Sequence, residues 1–170
     1  YGTASQSKHD LVRSFGATPI DYRNTDFVAE VQRLTQGKGV QAVFDTIGGK
    51  SWSRSYRCVA KGGRLVGFGA LQVTTGDESV PSLLWGFAKL LGLWRLLPDG
   101  RSSSFYNILS RRKKLPDEFR TDVATLMQWL GDDRLHPAVA EVRPLRDAAE
   151  VHRLIDAGAV AGKIVLDCQG

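Results

Sequence analysis

Residues 40–69, "VQAVFDTIGGKSWSRSYRCVAKGGRLVGFG", decide the fold. "VQAVFD" at 40–45 is apolar and β-branched and runs into "TIGG" at 46–49, a strand leaving into a glycine turn. The period then changes: Trp52, Tyr56 and Val59 lie three and four residues apart, which predicts a helix over 50–60 with those three inward. "GGRLVGFGA" at 62–70 is a strand between glycines. A strand, a helix and a strand with short links require parallel pairing, because the helix carries the chain back to the starting edge.

The same alternation extends outward. "YGTA" at 1–4 is strand-like, and "SKHDLVRSFGA" at 7–17 reads as a helix with Ser7 as N-cap and Gly16 as stop. "TPIDY" at 18–22 is a short strand. Thr25 to Gln36 is predicted helical, with Phe27, Val31 and Leu34 on one face and Gly37 ending it. Downstream, "SSSFYNIL" at 102–109 reads as a strand, and Phe119, Val123, Leu126 and Leu130 define a helix. "PAVAEVRPL" at 137–145 is extended, 146–157 is helical, and "KIVLDC" at 163–168 closes with a strand. The expected class is α/β, a doubly wound parallel sheet of Rossmann-like kind.

The bulk numbers fit one soluble domain: 170 residues, 42% apolar and 24% charged. A net charge of +5 suits an anionic ligand, and without a recognition motif nucleic acid is not expected as a partner. Cys58 and Cys168 are far apart, with no CxxC and no Cys/His cluster at zinc spacing, so reduced thiols in a cytoplasmic protein are expected and no metal site. The first residues do not read as a signal peptide. The basic run Arg111–Lys114 is expected as a solvated turn.

"VPSLLWGFAKLLGLWRLLPDG" at 80–100 is rich in Leu and Trp, but Lys89 and Arg95 interrupt it and Pro81 and Pro98 bracket it, so it should not cross a bilayer. Ser82, Gly86, Lys89, Gly92 and Arg95 form a narrow small-or-polar stripe on a helix and leave a wide apolar face. That face is expected to pack against the protein or a partner subunit. A lid over an apolar substrate and an interfacial anchor are the alternatives.

In such a sheet, ligands sit beyond the carboxyl ends of the strands. The strand "GTA" ends at Ser5 rather than at an acid, and Lys8 opens the next helix. A hydroxyl, a mobile cation and free helix N–H groups suit a phosphate dianion, and Tyr22 and Arg23 at the neighbouring strand end can close the same pocket. Alternatively Ser5 and Ser7 only cap a helix. The other ends, Asp45, Thr46 and Ile47 in one strand and Gly67, Phe68 and Gly69 in the next, are candidates for the wall along ribose and nicotinamide.

"GTASQSKHDLVRSFGATPIDYRNTDFVAEVQRLTQGKGVQAVFDTIGG", "KGGRLVGFGA" and "GKIVL" together resemble the cofactor-binding half of the medium-chain dehydrogenase/reductase superfamily, within it the zinc-independent quinone oxidoreductase branch. The resemblance implies NADPH-dependent hydride transfer to a small apolar quinone, enone or related carbonyl compound. It places Ser5, Lys8 and Tyr22 at the 2′-phosphate and Phe68 and Gly69 beside the nicotinamide. It places Phe105, Tyr106 and Asn107 on a strand that flanks the nicotinamide and pairs across a homodimer, and Gly162 and Lys163 on a segment returning to the active site.

The resemblance also implies an N-terminal catalytic domain, a first strand and a glycine-rich loop, none of which is recognised here, so the sheet is expected to be incomplete at its N-terminus. Residues 1–133 are expected to form the partial dinucleotide-binding domain and 134–170 the segment that returns to the catalytic domain. No catalytic residue is named: Asp45 and His136 read better as structural. A non-catalytic nucleotide-binding relative and an enoyl-reductase module of a larger synthase are the competing functions.

Overall fold

The strands of the described residues all pair in parallel. The computed structural model describes residues 1–69 and 79–169. The chain divides into two compact units, Tyr1–Arg111 and Arg112–Gly170. The division falls ahead of the helix at 116–131 rather than after it, where the sequence placed it.

In the first unit, β1 (Gly2–Ala4) pairs with β2 (Pro19–Asp21), and β3 (Val40–Asp45), β4 (Val59–Gly67) and β5 (Ser102–Phe105) form a second ladder in that order. The crossovers expected of a doubly wound fold are present, but the sheet is divided. In the common dinucleotide order 3-2-1-4-5-6, the first strand stands between the second and the fourth. The break between β1 and β3 has that position.

Helix α1 (His9–Ser14) follows a 3-10 turn at Gln6–Lys8, and the cap position before that turn is Ser5, not Ser7. Helix α2 (Phe27–Leu34) is capped by Asp26, whose carboxylate accepts from Val28 N at 2.8 Å. It ends where Gln36 and Gly37 take positive φ and Gly37 N donates to Gln32 O at 2.7 Å. Val28 and Val31 of α2 share a core with Ile20 of β2 and Cys58, with Val40 and Val43 of β3 against it. Helix α2 therefore joins the two ladders.

Helix α3 (Lys50–Cys58) is shorter than predicted, because Val59 already opens β4. Trp52, Tyr56, Val59, Leu65, Leu90 and Trp94 form the main core, with Phe87 and Phe105 beside it. Trp52 meets Phe87 and Phe105 edge to face at 4.9 and 5.8 Å, and Tyr56 stacks on Trp94 at 4.4 Å. The Tyr56 hydroxyl donates to Asp99 at 3.0 Å, and Asp99 also accepts from Arg101 N. Trp52 fits only because its neighbours are glycines. A β-carbon on Gly67 would lie 2.9 Å from Trp52 Nε1, and one on Gly86 would lie 2.9 Å from Gly49 Cα.

The Leu/Trp stretch forms helix α4 (Val80–Leu91) and a 3-10 turn, Leu93–Leu96. Its orientation differs from expectation. Gly86 is buried with Leu90, and Lys89 is half-buried, its ammonium donating to Ser53 Oγ at 2.6 Å. The narrow stripe thus turns inward in part, and much of the wide apolar face is exposed. Close approach to Gly49 and Trp52 selects Gly86, and shape outweighs hydrophobicity in setting the rotation.

The strand expected at 102–109 stops at Phe105, and α5 (Ile108–Lys114) follows, so Arg111–Lys114 is its last turn rather than a loop. In the second unit, helix α6 (Pro116–Gly131) precedes β6 (Val139–Pro144), α7 (Ala148–Asp156) and β7 (Lys163–Asp167), with β6 parallel to β7.

One buried carboxylate fixes the β3–α3 junction. Asp45 Oδ1 accepts from Ile47 N at 2.8 Å and Gly48 N at 3.3 Å. Its Oδ2 accepts from Ser51 Oγ at 2.8 Å and Ser55 Oγ at 2.6 Å. Removing it leaves four donors to find water or strain the loop. We expect Asp45→Ala to lower unfolding stability by about 3 kcal/mol, read from urea denaturation; a change below about 1 kcal/mol would show that the junction holds without it.

Burial pushes the Cys58 thiol up from 9.0 to about 11. The folded state therefore holds this proton more tightly than the unfolded state. Its contribution to stability is full below pH 9 and is lost as pH rises toward 11. The urea midpoint should fall across that window, and Cys58→Ala should flatten the fall. An unchanged slope in the variant would assign the loss to other groups.

Candidate cofactor site

The strand ends of the first unit form two rows. Register pairs Ala4 with Asp21, so Ser5 and Tyr22 are the first residues beyond adjacent strands. Ser5 is extended, with φ −67° and ψ 153°, and its side chain makes no capping hydrogen bond to the turn behind it. Its hydroxyl lies 3.3 Å from that of Ser7. Lys8 closes the 3-10 turn and is half-buried, while Tyr22 and Arg23 are exposed. The structure thus brings Ser5, Lys8, Tyr22 and Arg23 to one edge, with hydroxyl and cationic groups and an unused cap.

Two residues at this edge were missed. Asp21 sits beside Ser5 in register, but its carboxylate is bound within its own turn, accepting from Asn24 Nδ2 at 2.6 Å and Arg23 N at 3.0 Å. The Asn24 hydrogen bond is the main cause that holds its pKa below the usual carboxylate range. His9 places Nε2 3.3 Å from Ala4 O, at the mouth of β1. The sequence signal for Asp21 was the D-x-x-N spacing of an Asx turn.

The second row is level. Asp45 pairs with Gly67, and Gly67 with Phe105. Backbone hydrogen bonds continue one step further, Phe68 N to Asp45 O at 3.1 Å and Tyr106 N to Gly67 O at 2.8 Å. Thr46, Phe68 and Tyr106 therefore stand together just beyond the strands, with Ile47 in the following turn. A β-carbon on Gly69 would lie 2.6 Å from Thr46 O, so only glycine permits this approach. Phe68 meets Phe44 edge to face at 6.4 Å, and both rings are exposed.

Some candidates hold the site rather than line it. Both Asp45 oxygens are engaged by their own loop and helix, so this acid sets the position of the β3 end and has little capacity left for a ligand hydroxyl. Ser51 and Ser55, which sequence reading passed over, complete that staple; their spacing of four on α3 was the signal. Asn107 Oδ1 accepts from Ser110 N at 3.0 Å and caps α5. Lys163 opens β7 in the second unit, its backbone N donating to Ala138 O at 2.7 Å. His136 is exposed and lies 3.3 Å from Asp133. Among the described residues, no group of three or more His, Cys, Asp or Glu could hold a metal ion.

The profile of a zinc-binding dehydrogenase family matches residues 15–166. Synaptic vesicle membrane protein VAT-1 of Tetronarce californica is 41% identical over 157 residues, covering 90% of this chain and 40% of its own length. Quinone oxidoreductase 1 of Escherichia coli is 26% identical over 166 residues, covering 97% and 47%. A mycobacterial structure complexed with NADPH superposes with a TM-score of 0.71 at 27% identity, over 96% of this chain and 48% of the other. The chain spans less than half the length of these relatives. It belongs to the zinc-binding dehydrogenase family of the medium-chain dehydrogenase/reductase superfamily, in its quinone oxidoreductase-like branch.

Proposed function

We propose that this chain is the cofactor-binding half of an NADPH-dependent reductase acting on a quinone, an enone or a related small apolar carbonyl compound. The observation that carries the reading is the meeting of Ser5, Lys8 and Tyr22 at the ends of β1 and β2, where no acid faces outward unsatisfied. A phosphate dianion accepts several charge-assisted hydrogen bonds, and this edge offers an ammonium and three hydroxyls from Ser5, Ser7 and Tyr22. Asp21, the one acid beside it in register, has its charge bound within its own turn.

NADPH, when bound, supplies the hydride. The residues here bind and orient. Ser5, Lys8 and Tyr22 hold the 2′-phosphate. Gly69, seated on the Thr46 carbonyl, keeps the β4 end low so that a ring can approach the backbone. Phe68, Gly67, Phe105 and Tyr106 form the wall beside it, with Thr46 and Ile47 along the ribose. No acid or base of this chain is assigned to proton transfer. The free edge of β5 is the strand at which two copies join. Two free thiols suit a reducing, cytoplasmic compartment.

Steady-state oxidation of NADPH and NADH by the full-length protein, with a quinone acceptor, tests this. Lys8→Ala should lower kcat/KM for NADPH by about tenfold or more and leave that for NADH within about twofold. Equal losses would place Lys8 away from the 2′-phosphate. Cofactor binding without oxidation across quinones and enones would instead favour a non-catalytic relative.

A further inference from the structure

We propose that His9 sets how strongly the edge formed by Ser5, Lys8 and Tyr22 distinguishes a phosphorylated from an unphosphorylated ribose, and that it does so by gaining a proton. The inference rests on the reading of that edge as the 2′-phosphate site. Register pairs Ala4 with Asp21, and Ser5 and Tyr22 leave the strands directly after that pair. His9 sits against the pair itself. Its Nε2 lies 3.3 Å from Ala4 O, and the residue is half-buried. A carbonyl only accepts, so Nε2 carries a proton in either charge state and Nδ1 is the atom that gains the second. Protonation therefore adds a positive charge without breaking the bond that holds the ring at the end of β1.

The charges around the ring decide what that proton does. Helix α1 packs against β1, the 3-10 turn at Gln6–Lys8 and β2. Strand β1 bears no charge, the turn brings Lys8, and β2 brings Asp21, with Tyr22 and Arg23 just beyond it. On the helix itself, Asp10 is held by Arg13 at 2.8 Å. Asp21 is thus the acid left to act on a phosphate at this edge. Hydrogen bonds from the Asn24 amide and Arg23 N orient its carboxylate without cancelling its charge. The Asn24 bond is the largest of the causes that keep the Asp21 pKa low, and the charge of His9 is among them, which puts the ring within electrostatic reach. With His9 neutral, Asp21 repels a dianion arriving at Ser5 and Tyr22. With His9 protonated, that repulsion is offset, and a cation joins Lys8 and Arg23. Histidine is the side chain that ordinarily titrates between about pH 5 and 8, so His9 strengthens discrimination toward the acid end of that range.

The test is calorimetric titration of the full-length protein with NADP+ and with NAD+ at about pH 6 and about pH 8, for wild type and His9→Gln. The glutamine amide can still donate to Ala4 O, so the variant keeps the strand-end bond and loses the titrating charge. The 2′-phosphate itself loses part of its charge toward about pH 6, in wild type and variant alike, so the comparison at each pH is between the two proteins. The ratio of the NAD+ to the NADP+ dissociation constant in wild type should exceed that in His9→Gln by about fivefold at the lower pH and match it within about twofold at the higher. His9→Lys, which fixes the charge, should keep the larger ratio at both. A ratio that His9→Gln lowers equally at both pH values would make His9 a support for the strand end alone, and an unchanged ratio would remove it from recognition; either result overturns the proposal. Where a lowered melting temperature disqualifies His9→Gln, the wild-type ratio relative to His9→Lys decides: it should rise toward the lower pH, and a constant value overturns the proposal. Absence of any NADP+ preference in wild type would instead overturn the reading of the edge, and this inference with it.

Discussion

The Asp45 carboxylate is the constraint on which the rest of the first unit depends. It lies at the end of the central run of β3 and gathers two backbone N–H groups and two serine hydroxyls. Those four bonds fix where β3 stops, how the glycine turn bends and where α3 starts. Gly48 and Gly49 both take positive φ in that turn, a path that L side chains rarely follow. With α3 placed, Trp52 stands over Gly67, and α4 can settle only with Gly86 toward Gly49. A single buried charge thus sets the level of the strand ends and, through Trp52, the roll of a helix beyond it.

Much of the fold was legible because its signals are local. Apolar runs ending in glycine or in a strand-end acid gave the strand ends to within a few residues, and the change of period at residue 50 marked α3. The Ser5, Lys8 and Tyr22 cluster was legible for another reason: parallel register brings the ends of successive strands together whenever the crossovers are short. What stayed hidden was decided at a distance. The roll of α4 follows from a contact between Gly86 and Gly49, and the hydrophobic pattern of the helix carries no trace of a residue 37 positions upstream. The role of Asp45 was ambiguous on its own. An acid at a strand end can face a ligand or its own loop, and only Ser51 and Ser55 on one face of the next helix separate the two.

The two rows of strand ends carry different chemistry on one scaffold. The β1–β2 row is polar, with Ser5, Lys8 and Tyr22 at the strand ends, while the β3–β4–β5 row exposes the aromatic rings of Phe44, Phe68 and Tyr106. A ligand that is anionic at one end and flat and apolar at the other would match both. Helix α2, which shares its core with β2 and with β3, holds the rows in a common frame.

The parallel pairing of the described strands also bears on how the chain reaches this state. A parallel ladder cannot be zipped from a tight turn, so each pairing waits for its crossover to close. The β3–α3–β4 unit has a short crossover and its own buried staple, whereas β5 must wait until α4 and the turn after it have crossed the sheet. Loop closure therefore favours β3–α3–β4 as the nucleus and leaves β4 with an unpaired edge until late. Closure of the helix that carries the exposed apolar strip is then the step that shelters that edge from other chains.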